Sequence, residues 1–235
     1  MKKVVISQPM FFPWVGLFEQ IRLADVFVHY DDVQLPQGRS FMNRVQIKTP
    51  TGIKWLSVPI KKGARLINEA VLDDSQNWRD KHLKTLYHNY AKAPFVRDML
   101  EIVQTVYELK TNRLSELNCF AIEMIANYFG LQPSFLRSSD YRIEGVSTER
   151  LLNLMLHLNG TVYITGHGAR NYFDHNLFEQ HGIHIEYMDY QKILYKQLYG
   201  SFTPYVSILD LIANQAKDGC NVIISNTVDW KDFIK

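Results

Sequence analysis

The first 32 residues hold a strand, a helix and a second strand in immediate succession. That order leaves little freedom of fold. "KKVVIS" (2–7) is short, apolar and β-branched, the pattern of a buried strand. "GLFEQIRLAD" (16–25) sets Leu17, Ile21 and Ala24 on one helical face, and "VFVHYDD" (26–32) predicts the next strand. Elements this close form a βαβ unit whose strands run parallel. The loop between the first strand and the helix therefore sits at the carboxyl end of a parallel strand, where open α/β sheets usually place their ligands.

The rest of the chain extends this frame. In "NRVQIKTPTGIKWLSVPI" (43–60), apolar residues alternate on both sides of Thr49-Pro50-Thr51-Gly52, which predicts a β-hairpin. From Trp78 to Gly130 the spacing is helical, with Pro94 separating the first two helices and a third covering about 112–129. "STERLLNLMLHLNG" (147–160) predicts a helix with Ser147 as N-cap and Gly160 as its stop. "TVYIT" (161–165), a loop and helix, and "IHIEYMDY" (183–190) repeat the βαβ pattern. The expectation is an α/β fold: a mainly parallel sheet from strands 2–7, 26–32, 161–165 and 184–188, flanking helices, an N-terminal β-hairpin and a central helical block. It is read as a single α/β domain over 1–235, with a helical insertion or subdomain at about 75–130.

Charge narrows the partners. A formal net charge of +2 creates no long-range field suited to nucleic acid, and the short run Lys61-Lys62-Gly63-Ala64-Arg65 reads as a solvated loop. Two cysteines make neither a disulfide scaffold nor a zinc site between them, and Cys119, inside an apolar helix, reads as a buried inert thiol. Gln8, Pro9 and Pro13 interrupt the apolar N-terminal run, so it does not read as a signal peptide. No apolar run reaches the length of a membrane span. The expectation is a cytoplasmic protein with no membrane insertion and no nucleic-acid partner.

Three stretches carry chemistry. In "QPMFFPWVG" (8–16), Pro9 and Pro13 stiffen a loop that offers Gln8 and the rings of Phe11, Phe12 and Trp14, while Gly16 opens a helix start suited to an anion. Such a loop fits a nucleotide-bearing ligand, or its rings plug the sheet end. In "HYDDVQLPQGRSFMNRVQIK" (29–48), Asp31 can take a proton, Gln34 and Asn43 can bond a ligand, and Arg44 or Lys48 can neutralise phosphates. Asp32, Arg39 and Lys48 have a plainer reading as turn or solvated residues. In "YITGHGARNYF" (163–173), Gly166 and Gly168 bracket His167, the most natural general base in the chain, with Tyr172 following. The other histidines show no metal-ligand spacing, and His82 and His88 read as helix-surface residues.

Those stretches, together with "WLSVPI" and "LYKQLYGSFTPYVSILDLIANQ", resemble the WbqC-like protein family from near the N-terminus to about residue 215. The resemblance implies a place in bacterial surface-polysaccharide and O-antigen biosynthesis. It also implies acyl or aminoacyl transfer to the amine of a nucleotide-linked amino sugar. No cofactor would be bound tightly; the co-substrate would be an acyl thioester of coenzyme A or of an acyl carrier protein. The resemblance brings no residue roles with it; on the residues' own chemistry, His167 or Asp31 would act as base, with Gln8, Phe12, Trp14, Gly16, Gln34, Asn43, Arg44, Lys48, Gly166, Gly168 and Tyr172 binding substrate and no metal taking part. The alternatives are an ATP-dependent nucleotidylyltransferase or ligase, for which "PWVG" lacks the usual histidine pair, and a non-catalytic sugar-nucleotide-binding protein.

Overall fold

The computed structural model describes residues 1–36, 38 and 40–235; Arg39 lies outside the described residues. Among them the chain forms eight strands: β1 (Lys3–Ser7), β2 (Val26–His29), β3 (Arg44–Thr49), β4 (Gly52–Ser57), β5 (Ser134–Arg137), β6 (Val162–Thr165), β7 (His184–Asp189) and β8 (Asn226–Asp229). β3 and β4 are the expected antiparallel hairpin, in register Arg44↔Ser57 to Thr49↔Gly52. The other six make one sheet in the order β5-β2-β1-β6-β7-β8. Every pairing in that sheet is parallel except β7 with β8.

Alternation along the strands divides the core in two, because successive side chains point to opposite faces. Val5, Phe27, Ile164 and Met188 enter one apolar cluster with the hairpin and with α1 (Val15–Leu23), α2 (Trp78–Tyr90), α3 (Val96–Glu108) and α4 (Leu114–Tyr128). The opposite face buries Val4, Ile6, Val26, Val28, Tyr163, Ile185 and Tyr187 against α5 (Ser147–His157) and α6 (His175–Gln180). Two helices follow: α7 (Ile208–Gln215), which joins the first cluster, and α8 (Trp230–Phe233), which packs on the second. The chain moves outward from β1 through β2 to β5 with its connections on one face. It then crosses to β6 and β7 with connections on the other, as right-handed crossovers require when direction reverses. The helical block α2–α4 shares the first cluster with the sheet.

Several local expectations change. β2 ends at His29 rather than residue 32, because the Asp31 carboxylate turns aside to accept hydrogen bonds from Ser138 Oγ (3.2 Å), Ser139 N (3.1 Å) and Ser139 Oγ (2.9 Å). Ser147 is the first residue of α5, not its cap; Val146 precedes the helix and no side chain caps it. Beyond the helix the left-handed residue is Asn159, whereas Gly160 is small because a Cβ there would lie 2.8 Å from Val4 on β1. Strands β5 and β8 are four residues each and escape the sequence pattern. The β8 end is tied to α1, where buried Glu19 accepts from the Ser225 amide (3.1 Å) and hydroxyl, and Arg22 donates to the Ser225 carbonyl. Cys119 is fully buried, and burial pushes its thiol well above the ordinary range.

His82 is not a surface residue. It is buried, with Nδ1 against the Tyr107 hydroxyl (2.8 Å) and Nε2 against the Ser57 carbonyl (3.0 Å). Lys48 is also buried, at 4% exposure, donating to Gln197 Oε1 (3.0 Å) and Ser201 O (2.7 Å). It lies near Asp210, which is fully buried and accepts hydrogen bonds from Tyr195 (2.9 Å) and Tyr90 (3.0 Å).

These two buried groups oppose each other in pH. Burial lowers His82 to about 4 from an ordinary 6.5, the Ser57 carbonyl resisting, so its contribution is lost as pH falls from 6.5 through 4. Burial raises Asp210 from 3.8 to about 6, with the tyrosine hydroxyls and Lys48 resisting. Its contribution is complete below the lower value and lost as pH rises through the higher one. Urea unfolding across this window should therefore tilt in opposite directions in the two variants. Relative to the parent chain, His82→Gln should lose up to about 3 kcal/mol of stability on raising the pH, and Asp210→Asn a similar amount on lowering it. Parallel profiles in the two variants would contradict these assignments.

Candidate functional site

The sheet reverses its winding between β1 and β6, and their carboxyl ends part there. In open α/β sheets such a gap is where ligands bind. Ser7 and Gln8 leave β1, and Thr165 and Gly166 leave β6, on either side of a cleft of about 660 Å³. Loops 8–16 and 166–170, which the strand pattern predicts to flank one cleft, do so through residues 8, 10 and 14 of the first and 166–169 of the second.

Loop 8–14 is held through the backbone of Pro9, Phe11, Phe12 and Pro13. Asn118 Nδ2 donates to Pro9 O (2.9 Å) and Met42 O (2.8 Å), and Phe11 N donates to Phe41 O (3.0 Å). Ser207 Oγ donates to Phe12 O (2.8 Å), and Ile208 N to Pro13 O (2.8 Å). Phe12 is fully buried with φ of 39°, its ring 4.7 Å from that of Phe11. It serves the core and does not line the cleft. Trp14 does, and its indole folds back on the first turn of α1: a Cβ on Gly16 would lie 2.2 Å from the ring. Gly16 therefore seats the indole instead of opening the helix start to an anion.

An aromatic wall results. Trp14 stands 4.9 Å from Tyr190 and 5.5 Å from Tyr205, and Lys192 places its ammonium 5.3 Å from the Tyr205 ring. Gln20 Nε2 fixes the Tyr190 hydroxyl at 2.7 Å, and burial raises that phenol's pKa above its ordinary value. Across the cleft stand Tyr30 and Tyr172, both also raised by burial, Tyr30 with the Arg150 guanidinium resisting.

His167 lies on the rim, its ring between Tyr190 (5.0 Å) and Phe233 (4.8 Å). Nε2 is 2.6 Å from the Met188 carbonyl. A carbonyl can only accept, so Nε2 carries the proton and the neutral ring keeps its basic lone pair on Nδ1. Gly168 faces open space, while Gly166 passes close to the Tyr190 hydroxyl and Gln20.

Of the sequence candidates, Gln8, Trp14, Gly166, His167, Gly168 and Tyr172 meet at this cleft. Asp31 is buried in its serine contacts. Gln34 is exposed and bridges to Leu66; Asn43 donates to Val58 O (3.0 Å). Arg44 stacks on Trp55 at 4.1 Å, and Lys48 belongs to the Asp210 network. None of these five lines the cleft. Sequence reasoning missed Gln20, Tyr30, Thr165, Tyr190, Lys192 and Tyr205. Tyr190 was readable, since it follows a predicted parallel strand at its carboxyl end. Lys192 and Tyr205 occupy irregular chain and gave no such signal. Among the described residues no group of three or more His, Cys, Asp or Glu is placed to hold a metal ion, and no helix is long and apolar enough to cross a membrane.

Fold and cleft define a doubly wound α/β protein with an aromatic-walled cleft at its switch point. The WbqC-like protein family model matches residues 8–222, and the chain belongs to that family. It is 36% identical over 219 residues, 91% of this chain and 94% of the other, to the uncharacterized protein Rv1507c of Mycobacterium tuberculosis strain H37Rv. No solved structure matches.

The seating of Trp14 is testable. Gly16→Ala must swing the indole off its shelf, which should cost about 1–3 kcal/mol despite the better helix former. Adding Trp14→Ala should recover most of that loss by freeing the space. Near-ultraviolet circular dichroism and thermal unfolding of the three variants measure it; additive losses would rule out the contact.

Proposed function

We propose that this protein is an N-acyltransferase acting on the amine of a nucleotide-linked amino sugar in bacterial surface-polysaccharide biosynthesis. The donor is an acyl thioester of coenzyme A or of an acyl carrier protein. One observation carries the reading: an imidazole whose Nε2–H is committed to a backbone carbonyl stands on the rim of an aromatic-walled cleft at the switch point. A base of fixed tautomer beside stacking surfaces suits proton removal from a ligand that carries a planar group.

The chemistry follows from the residues. The base or sugar stacks within the wall of Trp14, Tyr190 and Tyr205, and Lys192 meets the diphosphate. The amine attacks the thioester carbonyl, forming the C–N bond; the C–S bond breaks and the sulfur leaves as thiolate. His167 Nδ1 takes the proton from the attacking nitrogen and returns it to the thiolate. Backbone N–H groups of the 166–168 turn supply hydrogen bonds to the carbonyl oxygen as charge develops. Asp31 has no part, since it is buried among Ser138 and Ser139.

Incubation with nucleotide-linked amino sugars and acyl thioesters, followed by mass spectrometry, tests the activity. His167→Gln keeps a donor for the Met188 carbonyl but lacks the base, so kcat should fall about 10²-fold or more with the fold intact. Lys192→Ala should instead raise KM for the sugar nucleotide about tenfold at nearly constant kcat, because diphosphate contacts are alike in ground and transition states. A His167→Gln enzyme with parental kcat would remove His167 from the chemistry.

A further inference from the structure

We infer that the site has a second, apolar compartment that takes the tail of an aliphatic acyl chain, so that the transferred group ends in an uncharged alkyl tail. This rests on the acyl-transfer reading and deepens it. Beside the cleft lies a cavity of about 260 Å³. Met10, Trp14, Phe41 and Tyr205 face both spaces, and Phe11, Pro13 and Val45 close the smaller one. The two compartments thus share a common wall, with the indole of Trp14 at the junction.

The linings differ in chemistry. The larger cleft offers Ser7, Gln8, Thr165, His167 and Lys192 alongside its rings. The described lining of the smaller one carries no charge, and its only side-chain polar groups are the Trp14 indole N–H and the Tyr205 hydroxyl. A charged acyl tail placed there would lose its hydration without an opposite charge to meet it, and burying an unpaired charge is costly. An alkyl chain has no such penalty and gains from leaving water. Phe11 and Val45 are buried and form the floor. Phe41 and Tyr205, 50% and 52% exposed, stand at the mouth, so apolar surface now in water would be covered by the chain. With water-sized groups taking about 30 Å³ each, the compartment holds on the order of eight carbons.

Val45 is the residue to test, because it lines only the smaller compartment. Calorimetric titration with straight-chain alkanoates of four to twelve carbons should show affinity rising about fourfold per methylene and levelling near eight. Val45→Phe should move that plateau to shorter chains while leaving the affinity for a nucleotide-linked amino sugar unchanged. Should the floor not tolerate phenylalanine, Met10→Trp at the half-buried junction is the second filler and should shorten the plateau likewise. Affinity independent of chain length, or a plateau unmoved in a folded filler variant, overturns the inference. Alkanoate binding with this length dependence but no transfer to any amino sugar would sustain the compartment and sink the acyltransferase reading. Transfer whose rate ignores chain length and the Val45 substitution would do the reverse.

Discussion

The carboxamide of Asn118 holds the site together more than any residue that lines it. It is completely buried on α4, and its two N–H groups reach the carbonyls of Pro9 and Met42. One helix thus fixes both the loop leaving β1 and the segment entering the hairpin. Loop carbonyls packed this deep need donors, since an unpaired buried backbone group costs about as much as a lost hydrogen bond. The α7 end completes the set through Ser207 and Ile208. A loop so anchored can hold Phe12 at positive φ and present Trp14 to the cleft without further support. The helical block between β4 and β5 is therefore part of the site's construction.

Away from the cleft, polar groups are used for a different purpose. Lys48, Tyr90, Tyr195, Gln197 and Asp210 make a buried network that binds the irregular segment 195–203 to α7 and to the hairpin. Removing one partner of such a network strands the others, so its members stabilise one another only as a set. That segment leads on to Tyr205, which lines both compartments. The network's contribution to function is therefore indirect: it sets where the chain must stand when it reaches the cleft.

How much of this was legible depends on whether a signal was local. Strands β1, β2, β6 and β7 and the hairpin announced themselves through period-two or continuous apolar runs, and their parallel order placed loops 8–14 and 166–169 together. β5 and β8 did not, because "SFLR" and "NTVD" are four-residue edge strands whose pairing is set by neighbours distant in sequence. Asp31 looked free at a strand end until Ser138 and Ser139, more than a hundred residues later, were brought against it. His82 sits on a polar helix, and only the packing of α3 beneath it turns that face inward to Tyr107. Lys48 falls on the hairpin face opposite Val45 and Ile47, which the alternation reads as solvated, and it is buried only by its partners at residues 197 and 201. Side chains whose meaning depends on long-range contacts were the ones misread.

The imidazole of His167 leans on a part of the chain that the family pattern does not reach. The match ends at residue 222, yet Phe233 lies tilted 4.8 Å from His167 and stacks 4.3 Å from Tyr187, while Trp230 lies 4.5 Å from His175. A short hook outside the shared pattern thus props the ring from behind. Of the cleft's described lining, it is the His167 ring that Phe233 faces. A change at Phe233 would therefore act on the orientation of one histidine while the loop that carries Trp14 keeps its own anchors at Asn118 and Ser207.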